Sequence, residues 1–195
     1  MNKEDKRGVD DIAEYLELRQ VVNLVLDAKP LPYYGAYPQE RENLRRRDSA
    51  LLAALALTGL RISELLSVKK EQVVEDEQFL AFKNVAIKKR RKEHILRDFY
   101  MPKEGATQPL TLLVNNHTQT VKKGKVFTIS RSQAYRIING MTGLWCHFFR
   151  SQRLSYLVNK FDGTKAAAFQ GVKSPATIAH YYKGGIEQHK EQLIE

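Results

Sequence analysis

Four short stretches hold the residues whose types and spacing suit chemistry on an anion. In "LALTGLRISELLSV", residues 55–68, a single arginine, Arg61, sits just past a glycine break between two apolar helical runs. A guanidinium in such a setting must meet an acceptor. Two readings stand: a salt bridge to Glu64 three residues on, or an external anion. In "HFFR", residues 147–150, the three-residue spacing puts His147 and Arg150 on one face of a helix. Both can then reach a common ligand while Phe148 and Phe149 turn to the core; a surface pair on an amphipathic helix is the ordinary alternative. In "IKKRRKEHILR", six of the ten residues from Lys88 to Arg97 are Lys or Arg. Most such runs are solvated faces, but one on a hairpin tip is shaped to track phosphates. In "SPATIAHYYKGG", residues 174–185, Tyr181 and Tyr182 are adjacent. Neighbours on a helix diverge by about 100°, so only one phenol can serve as a nucleophile while the other packs or faces solvent.

The totals narrow the partner. Thirty-two Lys and Arg against 22 Asp and Glu give a net charge of +10, which favours a polyanion, with nucleic acid the first candidate. Further basic residues at Lys122, Lys123, Lys125, Arg131, Arg136, Arg150 and Arg153 extend the phosphate-binding surface expected around the hairpin. No apolar run approaches the ~20 residues of a membrane span. "MNKEDKRGVDD" lacks the apolar centre of a secretory signal, and the single cysteine, Cys146, forms no internal disulfide framework. These features predict a cytoplasmic protein. No cluster of acidic residues and histidines has metal-ligand spacing, so neither metal nor cofactor is expected. Cys146 reads as a small buried residue and Trp145 as core.

The elements that must position these groups follow from periodicity. Residues 10–28 read as an amphipathic helix, residues 29–40 as a Pro-, Gly- and Tyr-rich loop, and residues 41–59 as a central core helix stopped by Gly59. A second, shorter helix and its exit occupy 61–76. "FLAFKNVAI" and "HILRDFYM" are β-prone runs that make a hairpin with the basic run as its tip. Residues 109–130 read as a mixed region with a turn at Gly124. Helices follow over 131–141, ending at Asn139-Gly140, and over 143–161, then a turn and short helix over 162–172. The last helix runs from Ser174 as cap, with Pro175 in the first turn, to a stop at Gly184. The fold class is α+β, mainly helical with one small antiparallel sheet, and the 195 residues form one domain.

The order of these motifs resembles the catalytic domain of the tyrosine recombinases, the phage and archaeal-virus integrase family. "TGLRISELLSV" closely matches that family's first arginine box, and the resemblance runs from about Asp10 to Gly184. It implies the mainly helical fold shared with type IB topoisomerases. It also implies Arg61 and Arg150 as the two catalytic arginines and His147 as the histidine of the second box. The catalytic lysine lies on the hairpin, at Lys89, with Lys88 and Lys92 as alternatives. Counting ten residues from Gly171 places the nucleophile at Tyr181 rather than Tyr182. Lys88, Arg90, Arg91, Lys92, Lys173, Arg131 and Arg153 are the DNA-binding candidates. One departure stands out: Val172 occupies a position where the family carries His or Trp, and valine donates no hydrogen bond, so Lys173 is the nearest substitute.

The implied reaction suits these groups. A phenol, of reference pKa about 10, needs its proton drawn off to attack phosphorus. Two guanidiniums stabilise the charge on the non-bridging oxygens, and a lysine protonates the departing 5′ oxygen. The resemblance therefore implies a site-specific recombinase or viral integrase that cleaves and rejoins DNA through a 3′-phosphotyrosine. Type IB-like relaxation, or a non-cleaving DNA-binding protein of the same fold, are the alternatives. The expected partner is double-stranded DNA, bound as a homotetramer on paired sites and met by a monomer or weak dimer when free. No second, helical DNA-gripping domain is expected within the chain. Residues 1–9 are expected to be disordered, and the tail 185–195 either packs on a neighbouring subunit or frays.

Overall fold

A computed structural model of the chain describes residues 15–88, 94–161 and 164–166. Its axis is a long helix, α2 (Pro38–Thr58), with proline in the first turn and a left-handed stop at Gly59, φ 62°. From Ala50 to Thr58 every residue of α2 is buried, as its Ala/Leu composition demands. Around it pack α1 (Leu18–Leu26), α4 (Gln108–Thr118), α5 (Arg131–Thr142) and α6 (Cys146–Lys160). The helix expected from residue 10 is observed from Leu18, residues 15–17 being non-helical and 10–14 lying outside the described residues. Ahead of α1, the Leu16 N–H donates to the buried Gln152 Oε1 of α6 at 2.8 Å, tying the chain's entry to that helix.

After α2 the chain makes a single helical turn, α3 (Ile62–Leu65), shorter than the sequence suggested. Val68 is then claimed by another segment, because the Val126 N–H donates to its carbonyl at 2.9 Å and Lys69 bridges Lys125. A 3₁₀ turn at Lys70–Gln72 leads into β1 (Val73–Glu75), a short strand that the sequence reading merged with the helix exit. The expected hairpin is present as β2 (Phe79–Lys88) and β3 (His94–Pro102), and the sheet is antiparallel in the order β1-β2-β3. Its register slips by one residue between Phe82 and Val85.

Three further expectations need correction. Residues 108–118 form a regular helix, where the sequence read as mixed; Leu110 and Val114 on one face are buried against α2, and that packing outweighs the β-branched composition. Trp145 is not core but 58% exposed. It caps α6 with extended backbone, φ −92° and ψ 152°, while Cys146 and Phe149 on the next turn take the interior places. The α5 helix ends at Gly143, φ 73°, not at Asn139-Gly140, and its start is fixed by Ser130, whose Oγ accepts from the Gln133 N–H at 3.1 Å. Gly140 lies where Leu31 packs: a Cβ there would stand 2.8 Å from Leu31 Cδ2. Beyond α6 the described residues are Phe161 and 164–166, the latter helical; the helix expected over 174–184 lies outside the described residues. Among the described residues no helix is long and apolar enough to cross a membrane.

Candidate functional site

The junction between α2 and α3 carries Arg61, and its geometry follows from Gly59. The left-handed glycine turns the chain so that Leu60 is buried and Arg61 becomes the residue preceding α3. Glu64, 4% exposed, then holds Arg61 twice: Oε2 accepts the Arg61 backbone N–H at 2.9 Å and Oε1 accepts from Nη1 at 3.0 Å. The salt bridge read from the sequence is therefore formed, yet the Arg61 side chain remains 52% exposed. A guanidinium anchored at one end by a buried carboxylate, with its other side in solvent, can meet an external anion as well.

Arg150 reaches the same junction from α6. It is buried, and its Nη1 donates to the Gly59 carbonyl at 2.6 Å, two residues before Arg61 in the chain. This contact spans 91 positions in sequence and joins the two arginine-bearing segments. It also places a cation at the C-terminal end of α2, where the helix carbonyls favour positive charge. His147 lies one turn earlier on α6, in its first turn, and is exposed. Arg61, Arg150 and His147 thus belong to two elements that meet at Gly59.

The remaining candidates divide. Lys88 ends β2, opposite His94, and its side chain lies outside the described residues, as do Lys89, Arg90, Arg91, Lys92, Lys173 and Tyr181. Arg131 opens α5 on the surface, where its Nη2 donates to the Tyr135 hydroxyl at 3.1 Å. Arg153 faces inward: its buried Nε has no hydrogen-bond partner among the described residues, its guanidinium lies 5.2 Å from the Tyr156 ring, and burial lowers its pKa. It lines a cavity of about 720 Å³ bounded by Leu57 and Thr58 of α2, Phe99 and Tyr100 of β3, and Phe161. Cys146 is buried, and burial pushes its thiol up to about 11, which suits a packing residue and not a nucleophile. Among the described residues no group of three or more His, Cys, Asp or Glu side chains is placed to hold a metal.

A basic surface missed as a unit in the sequence is assembled by the fold. The Lys69–Lys125 bridge and the bond from the Lys70 N–H to the Gly124 carbonyl at 2.7 Å bring Lys69 and Lys70 beside Lys122, Lys123 and Lys125. Lys70 Nζ is spent on the Thr118 carbonyl, whereas Lys122, Lys123 and Lys125 are exposed. Two lysine groups about fifty positions apart in sequence become one patch through backbone pairing alone, which no composition count reveals.

No family model and no curated protein matches the sequence. Solved structures do match the fold. The XerH site-specific recombinase, in a post-cleavage complex with a palindromic difH substrate, superposes with a TM-score of 0.62 at 15% identity, over 97% of this chain and 55% of that one. The XerA recombinase gives a TM-score of 0.62 at 18% identity, over 94% of this chain and 65% of that one. The Tn1549 transposon integrase, in complex with transposon right-end DNA, gives 0.50 at 11%, over 86% and 66%. The chain therefore spans between about half and two thirds of the length of these proteins. With its central buried helix, three-stranded antiparallel sheet and converging arginine segments, the chain has the fold of a tyrosine recombinase catalytic domain.

Proposed function

We propose that the chain is the catalytic domain of a site-specific DNA recombinase of the integrase type, cleaving and rejoining strands without a metal. The observation that carries this reading is the Arg150–Gly59 bond, which brings the second arginine to the segment of the first. In the proposed reaction Arg61 and Arg150 stabilise the charge on the non-bridging oxygens of the scissile phosphate. The Tyr181 oxygen bonds to phosphorus as the bond to the 5′ oxygen breaks. A hairpin lysine, Lys89 with Lys88 and Lys92 as the alternatives, supplies the proton to that oxygen. His147 accepts the phenol proton or donates to the phosphate.

Double-stranded DNA is the proposed partner, and strand exchange would engage a homotetramer on two sites. The Lys69–Lys125 patch and exposed Arg131 add phosphate contacts, so affinity should fall steeply with salt. Val172, at the position of a usual donor, favours the second reading, a DNA-binding protein that does not cleave. A library of nicked suicide duplexes, randomised across the cleavage site, separates the two. The recombinase reading expects a covalent adduct that vanishes in Tyr181→Phe and persists in Tyr182→Phe. An adduct surviving Tyr181→Phe removes the nucleophile assignment, and binding with no adduct selects the second reading. Relaxation of supercoiled plasmid without exchange between duplexes would instead identify a type IB-like activity.

A further inference from the structure

The irregularity in β2 is a built feature. Leu80, Phe82, Val85 and Ile87 all face the core, so the inward positions skip from an even to an odd phase between 82 and 85. Lys83 and Asn84 stand opposite the single residue Asp98, which is the arrangement of a β-bulge. Asn84 takes a left-handed conformation, φ 53°, unfavourable for a residue with a Cβ.

Side chains on two sides replace the ladder bonds that the bulge gives up. From the 3₁₀ turn before β1, Gln72 Nε2 donates to the Lys83 carbonyl at 3.1 Å and to the Asn84 carbonyl at 2.8 Å. From β3, Asp98 Oδ1 accepts the Asn84 N–H at 2.9 Å and Oδ2 accepts from Lys83 Nζ at 3.0 Å. Lys83 is further held by the Tyr100 hydroxyl. The Asn84 N–H, and then Lys83, keep the Asp98 carboxyl below its ordinary pKa, so it is ionised and accepting at neutral pH. A bulge bends its strand and raises the local twist. The strand ends beyond it, Val85–Lys88 paired with His94–Arg97, therefore leave the sheet in a direction set by this clamp.

We propose that Gln72 and Asp98 are positioning residues that, through the Lys83–Asn84 bulge, aim the hairpin so that its lysine protonates the leaving 5′ oxygen. The inference rests on the recombinase reading above. In that step the Tyr181 oxygen–phosphorus bond forms, the phosphorus–5′ oxygen bond breaks, and the lysine ammonium gives its proton to the departing oxygen. The proton donor must lie within hydrogen-bond reach of that oxygen. At ~3.3 Å per residue, four residues past the bulge make a lever of roughly 13 Å, so a 10° error in direction displaces the far end by about 2 Å. Misplacement on that scale lowers rates by about a hundredfold.

The test compares two versions of the suicide duplex that the parent chain cleaves best, one ordinary and one with sulfur bridging phosphorus to the 5′ carbon. A thiolate leaves without a proton, so the sulfur substrate does not need the lysine. In Gln72→Ala and in Gln72→Glu, which keeps the shape but loses the amide donors, cleavage of the oxygen substrate should fall roughly 10- to 100-fold. Cleavage of the sulfur substrate should stay within about twofold of the parent, and Asp98→Ala should behave like Gln72→Ala. Equal losses on both substrates would reduce the clamp to a merely structural feature, and no loss on either would remove its role; both outcomes overturn the inference. A parent chain that forms an adduct with neither substrate instead refutes the recombinase reading, and the inference falls with it.

Discussion

Arg150→Ala tests the contact that joins the two arginine-bearing segments. The Arg150 side chain is 6% exposed, and its Nη1 donates to the Gly59 carbonyl at 2.6 Å. A hydrogen bond from a charged donor contributes about 1.5–3 kcal/mol, and truncation also leaves a buried carbonyl unsatisfied beside a cavity. These effects overlap, so the net loss should be about 2–4 kcal/mol. In a chain of 195 residues each kcal/mol lowers the melting temperature by about 2–4 °C, which places the variant roughly 5–15 °C below the parent. Arg150→Lys keeps the charge and a donor and should recover part of the loss. Arg61→Ala should cost less, about 1 kcal/mol, because its side chain is already half exposed and its backbone N–H still serves Glu64. Thermal unfolding followed by circular dichroism reads all three. An Arg150→Ala protein melting within about 2 °C of the parent would refute the claim that this bond joins α6 to the end of α2.

The remaining expectations are simpler. His117 donates through Nε2 to the Val126 carbonyl at 3.0 Å, while its buried Nδ1 has no partner among the described residues; burial, with Arg46 and Arg47 nearby, holds its pKa below the usual 6.5. The unfolded chain therefore binds the proton more readily, so this contribution is complete above about pH 6.5 and is lost as pH falls below it. Denaturant titrations of His117→Gln at several pH values should show a shallower acid-side decline than the parent. Tyr33→Phe removes the hydroxyl bonded to the fully buried Asp48 and should cost about 1–3 kcal/mol in the same assay. Gly140→Ala should stay within about 0.5 kcal/mol of the parent, because the gain in helix propensity offsets a small shift of Leu31, whereas the bulkier Gly140→Val should destabilise by more than about 1 kcal/mol. The native Cys146 thiol should react with a disulfide reagent far more slowly than the same thiol in denaturant, as its burial and a pKa of about 11 require.

What was legible in the sequence depended on how local each signal was. The central helix showed itself because an Ala/Leu run leads into a stopping glycine, although its first turn, from Pro38, read as loop; the hairpin did so because two β-prone runs flank one basic run. The α4 helix did not, since Thr111, Val114, Asn115 and Asn116 argue locally against it; Leu110 and Val114 become a helix face only once α2 is there to receive them. The reading of Trp145 failed for a related reason. Hydrophobicity says that a side chain favours burial, but the extended backbone at Trp145 and the inward turn of its neighbours decide which residue obtains it. The bulge was within reach: the apolar phase in "FLAFKNVAI" shifts by one after Phe82, and an asparagine stands at the shift.

The two arginines show why spacing alone could single out candidate residues but not their anchoring. Arg61 and Glu64 are three apart on one short helix, so their pairing is a local matter that the sequence poses directly. Arg150 is held by a carbonyl 91 positions away, which exists as an acceptor only because α2 stops in a left-handed glycine. Helix termination, arginine orientation and the meeting of α6 with the α2–α3 junction are therefore one interaction. Any change that carried α2 past Gly59 would turn that carbonyl into the helix and displace both Arg61 and the anchor of Arg150. Gly59 thus belongs to the candidate site as firmly as the arginines, although it has no side chain to offer a ligand.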